Sequence, residues 1–437
     1  MRSPRAGISP SLVAAALALS CVAPAFAQSP SDVRIDLQSG QAKRIRVHCE
    51  SLRPTGDRDA AKGSAQADEV LANDLDASAV FTTSRSWVAG SSAADVQAFV
   101  GGEWNVSGKS VRLVGEVLDA PARRSILKKE YRGTASDWRS LVHAFADDVV
   151  LQFSGEAGVA STKLAFVVQS GRSKELYVMD ADGYAPHPLT ADRSIALSPS
   201  WSPDGSLILF TSYRGGTGPQ VFVMSAGGGR VFAISTRAGN NTSASYSPDG
   251  REIACTLSLD GNPEIYLLDA RGGGPRRLTN QRAIDTSPSW SPTGREIAFT
   301  SDRGGAPQVY VMDREGGNVR RLTYQVSYTD SPVWSPKGDR IAFVARTGSG
   351  FDIWVCKADG TDAHPVVTGF SNENPHWSPD GRHLVYAGNR DGPWSLYVTD
   401  LDDRPPRKID TGGLQALSPA WSPRMAAPGF MGANSNR

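Results

Sequence analysis

From about residue 160 onward, apolar and polar positions alternate with a period of two, in short runs broken by glycine and proline. Gln308-Val-Tyr-Val-Met312, Asp352-Ile-Trp-Val355 and Ser395-Leu-Tyr-Val398 are runs of this kind. Others are continuously apolar, as in Ile297-Ala-Phe-Thr300, Ile341-Ala-Phe-Val344 and Leu384-Val-Tyr386, which predicts strands buried on both faces. Glycine turns such as Asp302-Arg-Gly-Gly305 and Glu315-Gly-Gly317 separate them. Ser-Pro-Asp-Gly has the residues of a type I turn, because Pro pre-sets φ at its second position and Gly tolerates the fourth. One unit therefore predicts four strands: Ser287 to Ser291, Ile297 to Thr300, Gln308 to Met312 and Val319 to Thr323.

The unit repeats. Trp201-Ser-Pro-Asp-Gly205 returns as Tyr246-Ser-Pro-Asp-Gly250, Trp290-Ser-Pro-Thr-Gly294, Trp334-Ser-Pro-Lys-Gly338 and Trp377-Ser-Pro-Asp-Gly381, and a sixth copy is Trp421-Ser-Pro423. The spacings are 45, 44, 44, 43 and 44 residues. Four strands in a period of ~40–45 residues predict a propeller blade. The first unit opens at Lys163-Leu-Ala-Phe-Val-Val168, a second strand with no Trp-Ser-Pro before it, and the last ends on a lone first strand. The C-terminal strand is thus expected to complete the N-terminal blade, giving six blades with no open edge. The repeated tryptophans are expected to pack between blades rather than stack on a ligand.

The stretch before the repeats has a different pattern. A helical period appears at Gln66 to Leu75 and again at Ser136 to Phe153, with Ser136 as the N-cap. Strands are expected at Arg44 to His48, Val80 to Thr83, Ala98 to Trp104, Val111 to Val117 and Ile126 to Tyr131. The fold class is mainly β: a six-bladed β-propeller over 159–424, preceded by a small α/β domain over 28–158 and followed by a tail over 425–437. Gly155 to Ser161 is expected to be a flexible linker. In residues 28–42, Val33, Ile35 and Leu37 alternate with polar residues, a pattern that suits either one strand laid on another sheet's edge or a frayed terminus.

Composition narrows the function. Arg2 and Arg5, the apolar run Leu12 to Val22 and Ala25-Phe26-Ala27 make residues 1–27 a signal peptide, so the chain is expected to be exported, starting near Gln28. Without Arg2 and Arg5 the chain carries 44 basic against 45 acidic residues, and no basic field points to nucleic acid. Cys49, Cys255 and Cys356 form no C-x-x-C pair, so zinc is not expected and the thiols read as small buried hydrophobes. There is no G-x-S-x-G, H-E-x-x-H or Walker loop. The six histidines do not recur at one repeat position, and His376 is the one placed near a channel wall. Asp285, Asp330 and Glu373 lack the spacing of a cation cage, so no metal and no cofactor is expected. A hydrolase propeller would need a following catalytic domain, and only 14 residues follow Pro423. A stand-alone propeller enzyme, lyase or hydrolase-like, with a site at one mouth is the alternative to a binding scaffold.

The repeat, the opening Asp32-Val-Arg-Ile35, the small α/β domain and the closing Pro419-Ala-Trp-Ser-Pro423 together resemble the TolB family of the Tol-Pal system. The resemblance covers nearly all of the expected mature chain. It implies a monomeric, non-catalytic periplasmic scaffold that links TolA of the inner-membrane complex to the peptidoglycan-associated lipoprotein Pal. It also implies a part in outer-membrane integrity and in invagination at cell division. Other outer-membrane lipoproteins or porins are further candidate partners. Carried over by motif, the TolA-binding segment is Gln28 to Ser39, with Val33, Ile35 and Leu37 as its alternate side chains. The Pal-facing residues are expected in loops just before the first strands: Asn240, Asn241 and Thr242, then Asp285, Thr286 and Ser287, then Asp330, Glu373 and Asn374. The chain departs from the family pattern at His48-Cys49-Glu50, at Gly101-Gly-Glu-Trp104 and at Asn240, where some members carry His.

Overall fold

A computed structural model describes residues 44–85, 96–348, 350–402 and 404–425. The expected signal peptide, the segment with Val33, Ile35 and Leu37, and the tail beyond Met425 lie outside the described residues.

The first domain is a sheet covered by two helices. Its elements are β1 (Ile45–Cys49), β2 (Arg53–Gly56), α1 (Ala60–Ala77), β3 (Phe81–Ser84), β4 (Ala98–Ser107), β5 (Ser110–Asp119), β6 (Ser125–Thr134) and α2 (Trp138–Ser154). The order is β3-β1-β4-β5-β6, with β2 beside the far half of β4. β1 runs parallel to β3 and β4, while β4, β5 and β6 form an antiparallel meander. Leu71 and Leu75 of α1 and Leu141, Val142, Phe145 and Val149 of α2 bury against Val47, Val100, Trp104, Leu113 and Tyr131. Helix α1 starts six residues before the apolar period does. Its first turns are Ala and Gly, which favour or permit helix without marking a face. Gly63 is there for space: a Cβ would lie 2.8 Å from the Trp104 indole nitrogen. The N-cap of α2 is Asp137, not Ser136. Its carboxylate accepts from the Thr134 backbone N–H at 3.0 Å and so ties the end of β6 to the helix start.

Six four-stranded sheets follow. Blade 1 joins Lys163–Ser170, Ser173–Asp180 and His187–Pro188 to the chain's last strand, Ala416–Trp421. Trp421 pairs with Leu164 and Ala416 with Val168, as the phase of the repeat requires. The inner strands of blades 2 to 6 are Ala196–Trp201, Asn241–Tyr246, Asp285–Trp290, Thr329–Trp334 and Asn372–Trp377. Each touches the next, and Ala416–Trp421 touches both Ala196–Trp201 and Asn372–Trp377, so the ring is closed. Turns follow the expected pattern: the Gly205, Gly250, Gly294, Gly338 and Gly381 N–H groups each bond the serine carbonyl three residues back at 2.9 Å. Outer strands are shorter than the sequence suggests. Val319 to Thr323 contributes only Arg320–Arg321 to the ladder, which keeps the exposed edge short and charged.

Tryptophans weld neighbouring blades. Trp201 packs on Ala165, Leu176 and Val178 of blade 1. Its indole N–H donates to the Ala420 carbonyl at 2.9 Å, and that of Trp377 to the Val333 carbonyl of blade 5 at 3.1 Å. The segment Gly155 to Ser161 is held, not flexible. Asp147 Oδ1 and Oδ2 accept from the Ala160 and Ser161 N–H groups at 2.8 and 3.0 Å. Glu156 meets Lys337, Arg382 and Arg424 at 3.4, 3.7 and 3.4 Å.

Candidate functional site

Antiparallel strands place connections of one kind at one end of the ring. Turns between strands one and two, and between three and four, point toward the α/β domain. Arg139 of α2 pairs with Asp182 in the last turn of blade 1, Arg44 with Asp400 and Asp402 of blade 6, and Glu156 with the Lys337 and Arg382 turns. The loops between strands two and three, and those entering each inner strand, form the opposite mouth.

At this mouth every inner strand is kinked at the same place. Ser198, Ser243, Ser287, Ser331, Asn374 and Ser418, each three residues before the repeat aromatic, have φ between 45° and 54°. The ladder slips in all six blades between the residues four and one before that aromatic. A bulge of this kind re-aims the side chains beside it. The residue five before the aromatic turns inward and is buried, and the next two stay half-exposed on the channel wall.

Most of the Pal-facing residues inferred from the motif lie inside the inner strands, and only Asn240 lies in a loop before one. Asn241 and Asp285 are fully buried and face no partner. Asn241 accepts from Ser235 Oγ at 2.5 Å and donates to the Arg237 and Gly239 carbonyls. Asp285 accepts from Arg303 of its own blade at 2.8 Å and meets the Thr279 hydroxyl of blade 3, and burial raises its carboxyl. Both belong to latches between successive blades; in the next latch Thr323 joins Gln308 and Thr329 at 2.8 and 2.7 Å. Counting from the tryptophan placed these two on the surface because it ignored the bulge.

Thr242, Thr286, Asp330 and Glu373 do come together, on one rung of the channel, with Leu197 and Leu417 completing the six. The two leucines share one side of the rung and the two acids another. Asp330, Ser331, Glu373 and Asn374 line a recess of about 180 Å³ with Tyr328, Val344 and Phe351. Asp330 accepts from Thr300 Oγ1 at 2.8 Å and from the Ser331 N–H at 2.6 Å. Burial, with the charge of Asp330 adding and Lys174 opposing, raises the Glu373 carboxyl. Asp285 is turned away, so the three acids do not converge.

The motif missed an apolar arc on the same mouth. Ile284, Tyr324 and Phe370, just before the inner strands of blades 4, 5 and 6, are 49%, 66% and 67% exposed. Tyr213 and Leu259 add to it from the strand two–three loops of blades 2 and 3. Behind the arc, Arg214, Arg303 and Arg390 each stack on a strand aromatic, with 5.5, 5.2 and 5.1 Å to the rings of Phe222, Phe299 and Tyr397.

Remaining candidate chemistry is structural. His376 Nδ1 accepts from the Trp421 N–H at 3.2 Å, and burial lowers its pKa, so it is a neutral bridge between inner strands. Cys49, Cys255 and Cys356 are buried and unpaired, and burial pushes each thiol up to about 12.

A family model described as the TolB beta propeller domain matches residues 151–425. A protein TolB homolog of Chlorobium chlorochromatii is 37% identical over 161 residues, 37% of this chain and 36% of that protein. The Tol-Pal system protein TolB of Desulfosudis oleivorans is 35% identical over 159 residues, 36% of this chain and 35% of that protein. The aligned stretches thus span about a third of the curated relatives' length. Over 88% of this chain and 98% of the other, the crystal structure of TolB from Acinetobacter baumannii superposes with a TM-score of 0.78 at 26% identity.

Proposed function

Because the chain belongs to the TolB β-propeller family, we propose that it is a non-catalytic periplasmic scaffold whose free propeller mouth docks Pal. The observation that carries this reading is the apolar arc of Ile284, Tyr324 and Phe370 around a polar channel, at the end of the ring that the α/β domain leaves open. Exposed apolar side chains grouped at one concave mouth fit a macromolecular surface better than a small substrate. Thr242, Thr286, Ser287, Asp330, Glu373, Asn374 and Asn240 supply the polar part of this surface. The segment from Gln28 to Ser39 is the proposed TolA ligand, offering a backbone ladder and Val33, Ile35 and Leu37 as alternate contacts. Coupling inner membrane to cell wall in this way would serve outer-membrane integrity and constriction at division.

Titration calorimetry with purified Pal tests the mouth. Replacing Ile284 and Phe370 together by Ser is expected to weaken Pal binding at least about tenfold, ~1.4 kcal/mol. Leu151→Ser, on α2, is expected to leave it unchanged. Equal affinity in the mouth variant would refute the assignment. For TolA, a chain lacking residues 28–39 is expected to lose binding while still binding Pal.

A further inference from the structure

Ring closure is complete at Trp421, yet the chain runs on past Met425 through Ala426-Ala-Pro-Gly-Phe430-Met-Gly-Ala-Asn-Ser-Asn-Arg437. Of these residues only Arg437 has a charged side chain, and the two large apolar ones, Phe430 and Met431, are adjacent. Arg424 fixes where the tail sets out. Its Nε donates to the Gly158 carbonyl at 3.1 Å and its guanidinium meets Glu156 at 3.4 Å, so the chain leaves the ring against the linker. Met425 then lines a cleft of about 400 Å³ between β6, α2, the linker and blade 1, a volume in the range of ligand sites.

Two features of this cleft call for an occupant. The first is a bare strand edge. Lys129, Glu130 and Tyr131 all line the cleft, although Lys129 and Tyr131 turn to Asp148 of α2 while Glu130 turns to Arg112 and Arg132 on the other face. Side chains alternate between faces along a strand, so three in a row meet one cleft when the backbone edge itself faces it. Among the described residues β6 ends its sheet, and this edge has no ladder partner. The second feature is His143, which lines the cleft and is more than nine-tenths buried. Its Nδ1 lies 2.7 Å from Asp74 Oδ2, a residue of the separate cleft lined by Val70, Trp138 and Arg407. Nε2, across the ring, has no hydrogen-bond partner among the described residues. A buried nitrogen in that condition is costly until a ligand meets it.

We propose that residues 426–437 fold back into this cleft, add a strand along the β6 edge and seat Phe430 between β6 and α2, beside Tyr131 and Ala144. The tail backbone then supplies partners to the β6 edge and to His143 Nε2. From Met425 to Phe430 the chain spans up to about 17 Å, longer than a cleft of this volume is wide. Pro428 precedes the residues that would pair, so its missing N–H removes no ladder bond. The charges in the cleft are already matched, Lys129 with Asp148 and Lys163 with Asp180, each at 2.6 Å. An uncharged run such as 426–436 therefore enters without breaking an ion pair. The N-terminal segment is the rival occupant, but the described chain begins at Arg44, whose guanidinium donates to the carbonyl of Asp76 in the other cleft. So placed, the tail braces the α/β domain against blade 1.

Photocrosslinking of the full mature chain, with p-benzoylphenylalanine introduced at position 430, reads the seat of the tail. Adducts within one molecule to β6, α2 or the linker, mapped by peptide mass spectrometry, are expected. Adducts between molecules, adducts to any other surface, or none, overturn the proposal. Hydrogen exchange tests the strand. In a chain ending at Met425, the alternate β6 amides that point away from β5 are expected to exchange at least about tenfold faster than in the full chain, with β5 unchanged. Equal exchange in the two chains overturns the pairing. Protection that survives loss of 426–437 but vanishes on removing residues 28–43 would make the N-terminal segment the occupant, and overturns it too.

Discussion

A serine, or asparagine in blade 6, three residues before each repeat aromatic is the smallest part on which the mouth depends. Its left-handed backbone, φ +53° at Ser331, is strained for any residue with a Cβ and worse for a branched one. Ser331→Val is therefore expected to cost about 1–2 kcal/mol and Ser331→Asn almost nothing, as denaturant titration would show. Blade 6 already carries Asn374 at this place. The tryptophans act at another point. Trp377 is buried between blades 5 and 6 with its indole N–H satisfied, so Trp377→Ala is expected to cost about 3–5 kcal/mol. At this scale the sequence was half legible. A tryptophan every ~44 residues declares its own burial. The kink does not show as a change of period, so Asn241 and Asp285 looked like surface residues when they are latches.

Elements show a similar division. Periodicity identified β4, β5, β6 and α2 because each has a long apolar face. It missed the first turns of α1, where Ala and Gly carry no periodic signal, and it overextended the outer strands, whose residues are too exposed to need a pattern. Composition misled at Gly155 to Ser161: its glycines and alanines read as loose, yet three cations converge on Glu156 from distant points of the chain. Such contacts leave no local trace. Each of these partly exposed ion pairs is worth little alone, roughly 0–1 kcal/mol. Glu156→Ala is accordingly expected to change global stability by about 1 kcal/mol or less. It should nevertheless speed proteolytic cleavage between Gly155 and Ser161 severalfold, since local opening, not global unfolding, exposes that backbone. Cleavage at the unsubstituted rate would show that the hub does not hold the linker.

Closure governs the whole molecule. Ala416–Trp421 supplies the inner strand of blade 1, more than 240 residues from its partner, so the ring is fastened by its most distant pairing. Removing the chain from Ala416 onward would bare the Lys163–Ser170 edge and strip Trp201 of the Ala420 carbonyl. Loss of the cooperative melt, with aggregation, is the expected result. The closed ring also separates two tasks: one end seats the α/β domain, and the other presents the loops proposed to hold Pal. Hydrogen exchange followed by mass spectrometry, with and without saturating Pal, tests that division directly. Slowed exchange confined to the loops bearing Tyr213, Leu259, Ile284, Tyr324 and Phe370 and to the first residues of the inner strands is the predicted footprint. Protection falling instead on α1, α2 or the turns beneath them, with the mouth unaffected, would contradict it.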